Sequence, residues 1–429
     1  MQLRDTVEDL LFAAEMVGRA AVEIAATGLL FNPMRAELRV DPYPYYRRLR
    51  ERDPVHRSYG ASGWVLTRYD DIVRILGDRT FSSDERNWQR YRRESARLIR
   101  AGLPEPYSAG ITSMLRIDPP DHTRLRTLVS KAFTPRAVER LRPRIDAVVD
   151  ELLAGLDGRR EIELMREVAS PLPVVIIGEM LGVAVEDRDR FRHWSNESVR
   201  LLGDGSRDDR RRAWRAMVEM RDWLGAQIAD RRASPRDDLL SALVAAEEAG
   251  DRLSEAELFG TCLLLLVAGN ETTTNLVGNG VIALLRHPEQ LERLRRDPAR
   301  MPAAIEELVR FDSPVQLTSR MVLEDRELHG CGLRRGEQIV LVLGAGNRDP
   351  ARFADPDTYD VARANANRHV AFGKGIHLCL GAPLARVEGQ VAVETLFRRY
   401  PDLRLAIPED DLTWSGGVLR GFKAIPLLF

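Results

Sequence analysis

The residue with the most pointed chemistry in the sequence is Cys379. It lies in the run FGKGIHLCLG, residues 372–381, which continues through Ala382-Pro383-Leu384-Ala385-Arg386 into a helical pattern. Gly373 and Gly375 permit positive φ and close backbone approach, so the loop can lie against a flat ligand, and Gly381 reads the same way beyond the cysteine. At a helix N-terminus the Cys379 thiolate would be stabilised by free backbone N–H groups and the helix dipole, making it a good soft metal ligand. A lone cysteine is more commonly an inert buried side chain; the residues around this one favour the ligand. Upstream, Asn270-Glu271-Thr272-Thr273 follow an apolar stretch, Cys262 to Ala268, that reads as buried all round. A buried acid beside an alcohol is either a hydrogen-bonded polar plug or a proton relay. Glu307 and Arg310, one turn apart, and His122 and Arg126, four residues apart, each put two charged groups on one helical face. Read singly, these are surface residues.

Taken together, these motifs resemble the cytochrome P450 family, and the matches spread over most of the chain. The resemblance implies a mainly α fold with small β-sheets, a single domain with a long central helix crossing over the haem. It makes Cys379 the axial thiolate of haem b iron, which pushes electron density toward bound dioxygen, and places Phe372 near the sulfur. The segment Ala268-Gly269-Asn270-Glu271-Thr272-Thr273 looks like the family's oxygen-activation motif. Gly269 then lets the helix pass close to the haem face, and the Thr272 hydroxyl can bond the carbonyl four residues back, opening a small groove. By the same resemblance Glu271 and Thr272 deliver protons, and the Glu307/Arg310 pair braces the irregular segment near Arg363. His122, Arg126, Arg320 and His377 take the propionate-binding positions, where four donors suit two carboxylates. Ala268, Gly269, Phe372, Gly373 and Gly381 complete the cofactor site.

The elements that must position these groups are also legible. Ser254 with Glu257 makes a capping box opening a helix to about Arg286, long enough at about 1.5 Å per residue to cross the whole domain. Helical periodicity dominates from Asp121 to about Arg310, with breaks at Thr134-Pro135, Ser170-Pro171 and His287-Pro288. Tyr43 to Glu51 reads as a short helix, and Gly63 to Thr67 and Gln338 to Leu343 read as strands. An irregular Asp- and Pro-rich stretch runs from Asn347 to Asn367, and the last long helix begins near Cys379. Gly344-Ala345-Gly346 is rejected as a dinucleotide loop because Pro350 blocks the helix that must follow.

The 429 residues carry 64 Lys plus Arg against 65 Asp plus Glu, a formal net charge of −1, which excludes a dedicated nucleic-acid binder. Three cysteines, Cys262, Cys331 and Cys379, are too few for a disulfide scaffold and fit a reducing cytoplasm. Asp9, Glu15, Arg19 and Glu23 interrupt the apolar patches near the N-terminus, so neither a signal segment nor a membrane span is expected. No linker divides the chain, and the resemblance gives a single catalytic domain over residues 32–429 behind an extension, residues 1–31. It leaves no room for a reductase.

The expected protein is therefore a cytoplasmic, monomeric haem-thiolate monooxygenase of secondary metabolism or catabolism, using O2 to hydroxylate or epoxidise a hydrophobic small molecule. Electrons come from a separate ferredoxin and its reductase, docking on a basic face for which Arg368, Lys374 and Arg386 are candidates. Two alternatives stay open: a thiolate-haem isomerase or dehydratase, and a non-catalytic haem sensor. By resemblance, Trp88, Leu264, Val267, Val315, Leu317 and Val418 line the substrate pocket. Its segments are Phe81 to Thr112, Leu201 to Ser206, Leu264 to Ala268, Val315 to Thr318 and Gly417 to Leu419. The first of these carries Arg86, Arg90, Arg92, Arg93, Arg97 and Arg100. That cluster reads either as a site for an anionic substrate or as a solvated amphipathic helix. Gly203-Asp204-Gly205-Ser206 reads as a lid loop.

Overall fold

The computed structural model describes residues 14, 17–33, 35–59, 63–100, 113–156, 158–199, 207–248 and 251–429. The side chains of Arg97 and Arg100, most of the N-terminal patch at residues 10–14, the segment 101–112 and the expected lid at 203–206 lie outside them. Helices build most of the fold around one long helix, Glu255–Arg286, that opens on the capping box expected from Ser254 and Glu257. From Thr273 to Leu284 it is buried on every side, which its apolar and small side chains permit. Gly278 is needed there because a Cβ would come within 2.6 Å of Met165 Sδ. Helices Pro171–Met180, Arg188–Val199, Met301–Phe311 and Ala382–Arg399 pack around it. Three of the expected breaks are helix starts: Pro135, Pro171 and Pro288 each open a helix, where a missing N–H costs nothing.

A five-stranded sheet stands beside the helical body in the order Val55–Ser58, Gly63–Leu66, Gln338–Leu341, Thr318–Val322, Phe81–Ser82. Ile339 sits opposite both Trp64 and Arg320, so the register fixes which face Arg320 presents. Gly63 is obligatory, since a Cβ would fall 1.9 Å from the Gln338 carbonyl oxygen. The strand expected to reach Leu343 stops at Leu341, and Leu343–Gly346 turns into a short helix. Its Gly344 is pressed against Gln316 Oε1, where a Cβ would lie at 2.3 Å.

The irregular stretch 347–363 is held from inside. Glu307 and Arg310, on helix Met301–Phe311, are both fully buried, which removes the surface-pair reading. Arg310 Nε donates to Glu307 Oε2 at 2.6 Å and Arg310 Nη2 to Glu307 Oε1 at 2.8 Å. Arg363 Nε donates to Glu307 Oε1 at 3.0 Å. Arg310 Nη1 then reaches the carbonyls of Asn347 and Pro356 at 2.8 and 2.9 Å. Every strong donor and acceptor of the trio has a partner, the condition under which buried charge is tolerated.

Residues 17–27 form a helix that is tied to the sheet by its buried Glu23. That carboxylate accepts from Phe31 N at 2.6 Å, Tyr59 N at 2.7 Å and Ser58 Oγ at 3.0 Å, and faces His56 Nε2 at 3.0 Å. Among the described residues no helix is long and apolar enough to cross a membrane.

A third buried acid, Glu388 on helix Ala382–Arg399, is hydrogen-bonded to Thr273 of the central helix, and burial pushes its carboxyl up to about 8. The folded protein therefore holds a proton that the unfolded chain releases near the ordinary carboxylate value of 4.5. This contribution to stability is complete below that value and is lost as pH rises toward about 8. Glu388→Gln is expected to flatten the decline in denaturant midpoint across this window. A slope equal to that of the parent protein would show that Glu388 does not titrate there.

Candidate functional site

Three elements meet at the site: the loop 372–381, the middle of the central helix, and a basic rim drawn from helix Asp121–Ser130 and strand Thr318–Val322. The loop folds back on itself through Cys379 N–H donating to the Phe372 carbonyl at 2.9 Å. Gly373 and Gly375 have φ of 71° and 72°, the left-handed region expected of them. The close approach at Gly375 is to protein: a Cβ would fall 2.4 Å from the Leu76 carbonyl oxygen. Gly381 differs from expectation. Its φ is −81° and a Cβ would meet nothing within 4 Å, so neither backbone strain nor crowding by protein demands glycine there.

Helix Ala382–Arg399 starts three residues after the cysteine, with Pro383 in its first turn. The Gly381 and Ala382 N–H groups bond the Cys379 sulfur and pull its pKa down, as do Arg126 and Arg386, while burial outweighs them and pushes it up. Cys379 itself is accessible, whereas Cys262 is sealed in the core with its thiol pushed up to about 12, and all three cysteines are unpaired. Of these two, Cys379 and not Cys262 is open to a ligand.

On the central helix the expected burial of Cys262 to Ala268 holds only in part. Cys262, Leu263, Leu265 and Leu266 are buried, Leu264 and Val267 are half-buried, and Ala268 and Gly269 are exposed. Small residues clear that face, and a Cβ on Gly269 would meet nothing within 4 Å. Thr272 Oγ1 donates to the Ala268 carbonyl at 2.7 Å, the bond four residues back that the spacing allows. Burial pushes the Glu271 carboxyl above the usual carboxylate range, and a long 3.5 Å contact from Asn275 Nδ2 pulls weakly back. Asn270, by contrast, is the polar plug: its Nδ2 donates to Ser195 Oγ at 2.6 Å inside the core.

The rim sets two arginines beside two imidazoles. His122 and His377 are tilted rings with centroids 4.1 Å apart, and Arg126 and Arg320 lie close enough to push the His377 pKa down. Burial is the larger cause, and with His122 and the two arginines it takes His377 to about 3; burial alone takes Arg320 to about 10, against the pull of Asp118. Arg126 Nη2 donates to the Leu378 carbonyl at 2.6 Å, tying the rim to the cysteine loop. Both ring nitrogens of His122 and Nε2 of His377 are buried with no hydrogen-bond partner among the described residues. Two arginines beside two imidazoles with three orphaned nitrogens fit an anionic partner, although Asp118 already draws on His122 and Arg320. The carboxylates of a flat, thiolate-ligated macrocycle satisfy that requirement, so the residues fit haem.

Of the expected pocket residues, Leu264 and Val267 flank the cleared helix face. Val315 bridges Leu419 in antiparallel fashion, and Gln316 N–H donates to the Val418 carbonyl at 2.8 Å, which brings the 315–318 and 417–419 segments together. Leu317 is half-buried against the core beside the sheet. Trp88 is half-buried and its Nε1 has no partner among the described residues. Within the arginine cluster, Arg86 Nε contacts both carboxylate oxygens of Asp84 at 2.8 and 2.9 Å, and Arg92 and Arg93 are exposed. Both readings of the cluster stay open, since the side chains of Arg97 and Arg100 lie outside the described residues.

Arg386 is not available as a docking cation: it pairs with Glu306 and lies 4.6 Å over the Phe372 ring. Arg368 and Lys374 are exposed. The Glu306 partnership, completed by His369 at 3.3 Å, was missed from the sequence. The residue beside Glu307 in the motif was its only signal.

A sequence model described as cytochrome P450 matches residues 94–411. The chain is 40% identical over 407 residues to the polyketide biosynthesis cytochrome P450 PksS of Bacillus subtilis (strain 168), covering 93% of this chain and 98% of that protein. Its fold matches the PksS structure with a TM-score of 0.84 over 93% of this chain and 99% of that one. It is 43% identical over 397 residues to the cytochrome P450 monooxygenase PikC of Streptomyces venezuelae, covering 90% and 91%. A structure of P450BioI in complex with hexadec-9Z-enoic acid ligated acyl carrier protein matches at a TM-score of 0.81 and 35% identity, covering 92% and 100%.

Proposed function

The chain belongs to the cytochrome P450 family, whose members are haem-thiolate monooxygenases, and from that premise we propose that Cys379 is the axial ligand and Glu271 and Thr272 the proton-delivering pair. Haem b, once bound, supplies insertion of one oxygen atom of O2 into a C–H or C=C bond, the other atom leaving as water with two electrons and two protons. The observation that carries this assignment is the orphaned basic rim tied to the Cys379 loop through Arg126. His122, Arg126, Arg320 and His377 hold the propionates, with Ala268, Gly269, Phe372, Gly373 and Gly381 lining the cofactor. Glu307, Arg310 and Arg363 hold the segment that frames it.

The chain's own residues then handle protons. Thr272 is held by the Ala268 carbonyl at the edge of the cleared helix face. Glu271 is poised by burial to carry a proton at higher pH than an exposed carboxylate. Acid and alcohol together favour oxygen-dependent turnover over an isomerase, dehydratase or sensor, none of which needs them. Thr272→Ala is expected to leave electron consumption nearly intact while product per electron pair falls by about 10²-fold, the lower end for a positioned proton donor. Unchanged coupling would remove Thr272 from the relay.

The substrate is a hydrophobic small molecule of secondary metabolism, hydroxylated or epoxidised between Leu264, Val267, Val315, Leu317, Val418 and Trp88. The relative named for polyketide biosynthesis supports that class. Residues 32–429 form the catalytic domain, which works as a cytoplasmic monomer. A separate ferredoxin and reductase supply electrons at the face carrying Arg368 and Lys374. The test is a Soret titration of haem-loaded protein against macrolides, fatty acids, terpenoids and steroids. A shift toward the water-free iron spectrum with one class names the substrate family. No thiolate-haem spectrum after reconstitution overturns the assignment of Cys379.

A further inference from the structure

Arg420 lies two residues beyond Val418 in the chain and is 4% exposed. We propose that Arg420 is a positioning residue for substrate selection: it clasps the turn carrying Val418 to helix Ala36–Val40, so that an ion pair outside the pocket sets where Val418 stands against Val315. This rests on the haem-site and pocket reading above.

The turn is weakly held by its own strands. The hairpin of Trp414–Ser415 with Gly421–Phe422 has two residue pairs, Trp414 with Phe422 and Ser415 with Gly421, and so short a ladder is marginal in water. The connecting residues 416–420 borrow their order from neighbours. Arg420 N–H donates to the Pro314 carbonyl and Gln316 N–H to the Val418 carbonyl, both at 2.8 Å. Asn279 Nδ2, on the central helix, donates to the carbonyls of Asp312 and Arg420 at 3.2 and 3.1 Å. These bonds tie the turn to the central helix and to the segment 314–316.

The Arg420 side chain adds a tie to the N-terminal part of the chain. Its Nε donates to Asp312 Oδ1 at 2.7 Å, its Nη2 to the Val40 carbonyl at 2.9 Å and its Nη1 to the Arg39 carbonyl. Those are the last two carbonyls of helix Ala36–Val40, which a helix end leaves without intrahelical partners. The guanidinium lies 3.6 Å over the Trp414 ring, and Tyr43 Oη donates to the same Asp312 oxygen at 2.8 Å. One planar fork thus meets an acid, two carbonyls and an indole face at once, which a lysine ammonium cannot do. The backbone fit is equally close: a Cβ on Gly416 would fall 2.4 Å from Arg39 Cγ and 2.9 Å from Arg39 Cα.

The test uses the full haem-loaded chain and the probes imidazole and 4-phenylimidazole, which bind iron through the same kind of nitrogen and differ by a phenyl ring that extends into the pocket. Soret titration gives both dissociation constants, and the readout is their ratio. In Arg420→Lys the ratio is expected to move about tenfold against 4-phenylimidazole, the low end of what one apolar contact discriminates, while imidazole binding stays within about twofold of the parent. Gly416→Ala forces the turn off Arg39 without altering Arg420; it is expected to move the ratio the same way, and it decides the matter if the lysine variant holds no haem. Leu153→Ala, a truncation in the buried face of helix Arg142–Ala154, lowers the unfolding midpoint and leaves the ratio as in the parent. A ratio within about twofold of the parent in Arg420→Lys, or one moved equally by Leu153→Ala, overturns the proposal, because a merely structural arginine would change stability alone. A parent protein with no thiolate-haem band would instead overturn the haem-site reading, and a parent that does not favour 4-phenylimidazole over imidazole would overturn the pocket reading.

Discussion

Cys379→Ser is expected to abolish the thiolate-haem spectrum and to reduce monooxygenation by at least about 10³-fold, equivalent to about 4 kcal/mol of transition-state stabilisation. The hydroxyl is close to the thiol in size, so the loop keeps its bond from residue 379 N–H to the Phe372 carbonyl, the bond that shapes it. What is lost is chemical. A serine hydroxyl does not ionise near neutral pH, and the Gly381 and Ala382 N–H groups that draw the thiol pKa down have no anion to stabilise. Two measurements check this, the Soret band of the reduced carbonyl complex and product formed per reductant consumed. Retention of the thiolate band in the serine variant would move the ligand to another cysteine. Cys262 is sealed inside the central helix, so such a result would also require a different fold around the iron.

Glu307→Ala is expected to cost about 3–5 kcal/mol of folding stability, because it leaves two buried guanidiniums without their counter-charge. Burial already pulls the Arg310 pKa down against the pull of Glu307. Without the acid, Arg310 and Arg363 are left with no counter-charge between them and the carbonyls they hold, from Asn347 to Thr358, lose their anchor. The same loss loosens the segment that leads into the cysteine loop, so haem retention should fall together with the denaturant midpoint. A stability within about 1 kcal/mol of the parent, the worth of a surface pair, would show that this buried trio does not anchor the segment.

How far the sequence carried depends on whether a property was local. The Ser254 capping box, the positive φ of Gly373 and Gly375 and the Thr272 bond to Ala268 are set within a few residues, and each appears as the spacing dictates. Ala268 shows the limit: hydropathy alone buries it, but the partner surface decides, and the helix is cleared there. Arg386 fails for a like reason, since its charge is spent on Glu306, a residue 80 positions away. The plug or relay alternative was open for Glu271 beside Thr272; that the neighbouring Asn270 is the residue plugged into the core follows only from the packing of Ser195 against it. The rim required the same: nothing in the spacing of His122 and His377 announces that their rings lie 4.1 Å apart.

The parallel pairing of Gly63–Leu66 with Gln338–Leu341 bears on how the protein is made. At a translation rate of about 5–20 residues per second, the first strand waits on the order of tens of seconds on the ribosome before its neighbour is synthesised. The cysteine loop emerges later still, behind residue 371. The nascent polypeptide must therefore keep an unpaired edge quiet until residues 338–341 have been made, and the cofactor can be captured only after residue 379 has followed them. Expression hosts that elongate faster than they fold, or that run short of haem late in growth, should accumulate full-length colourless protein before they accumulate fragments.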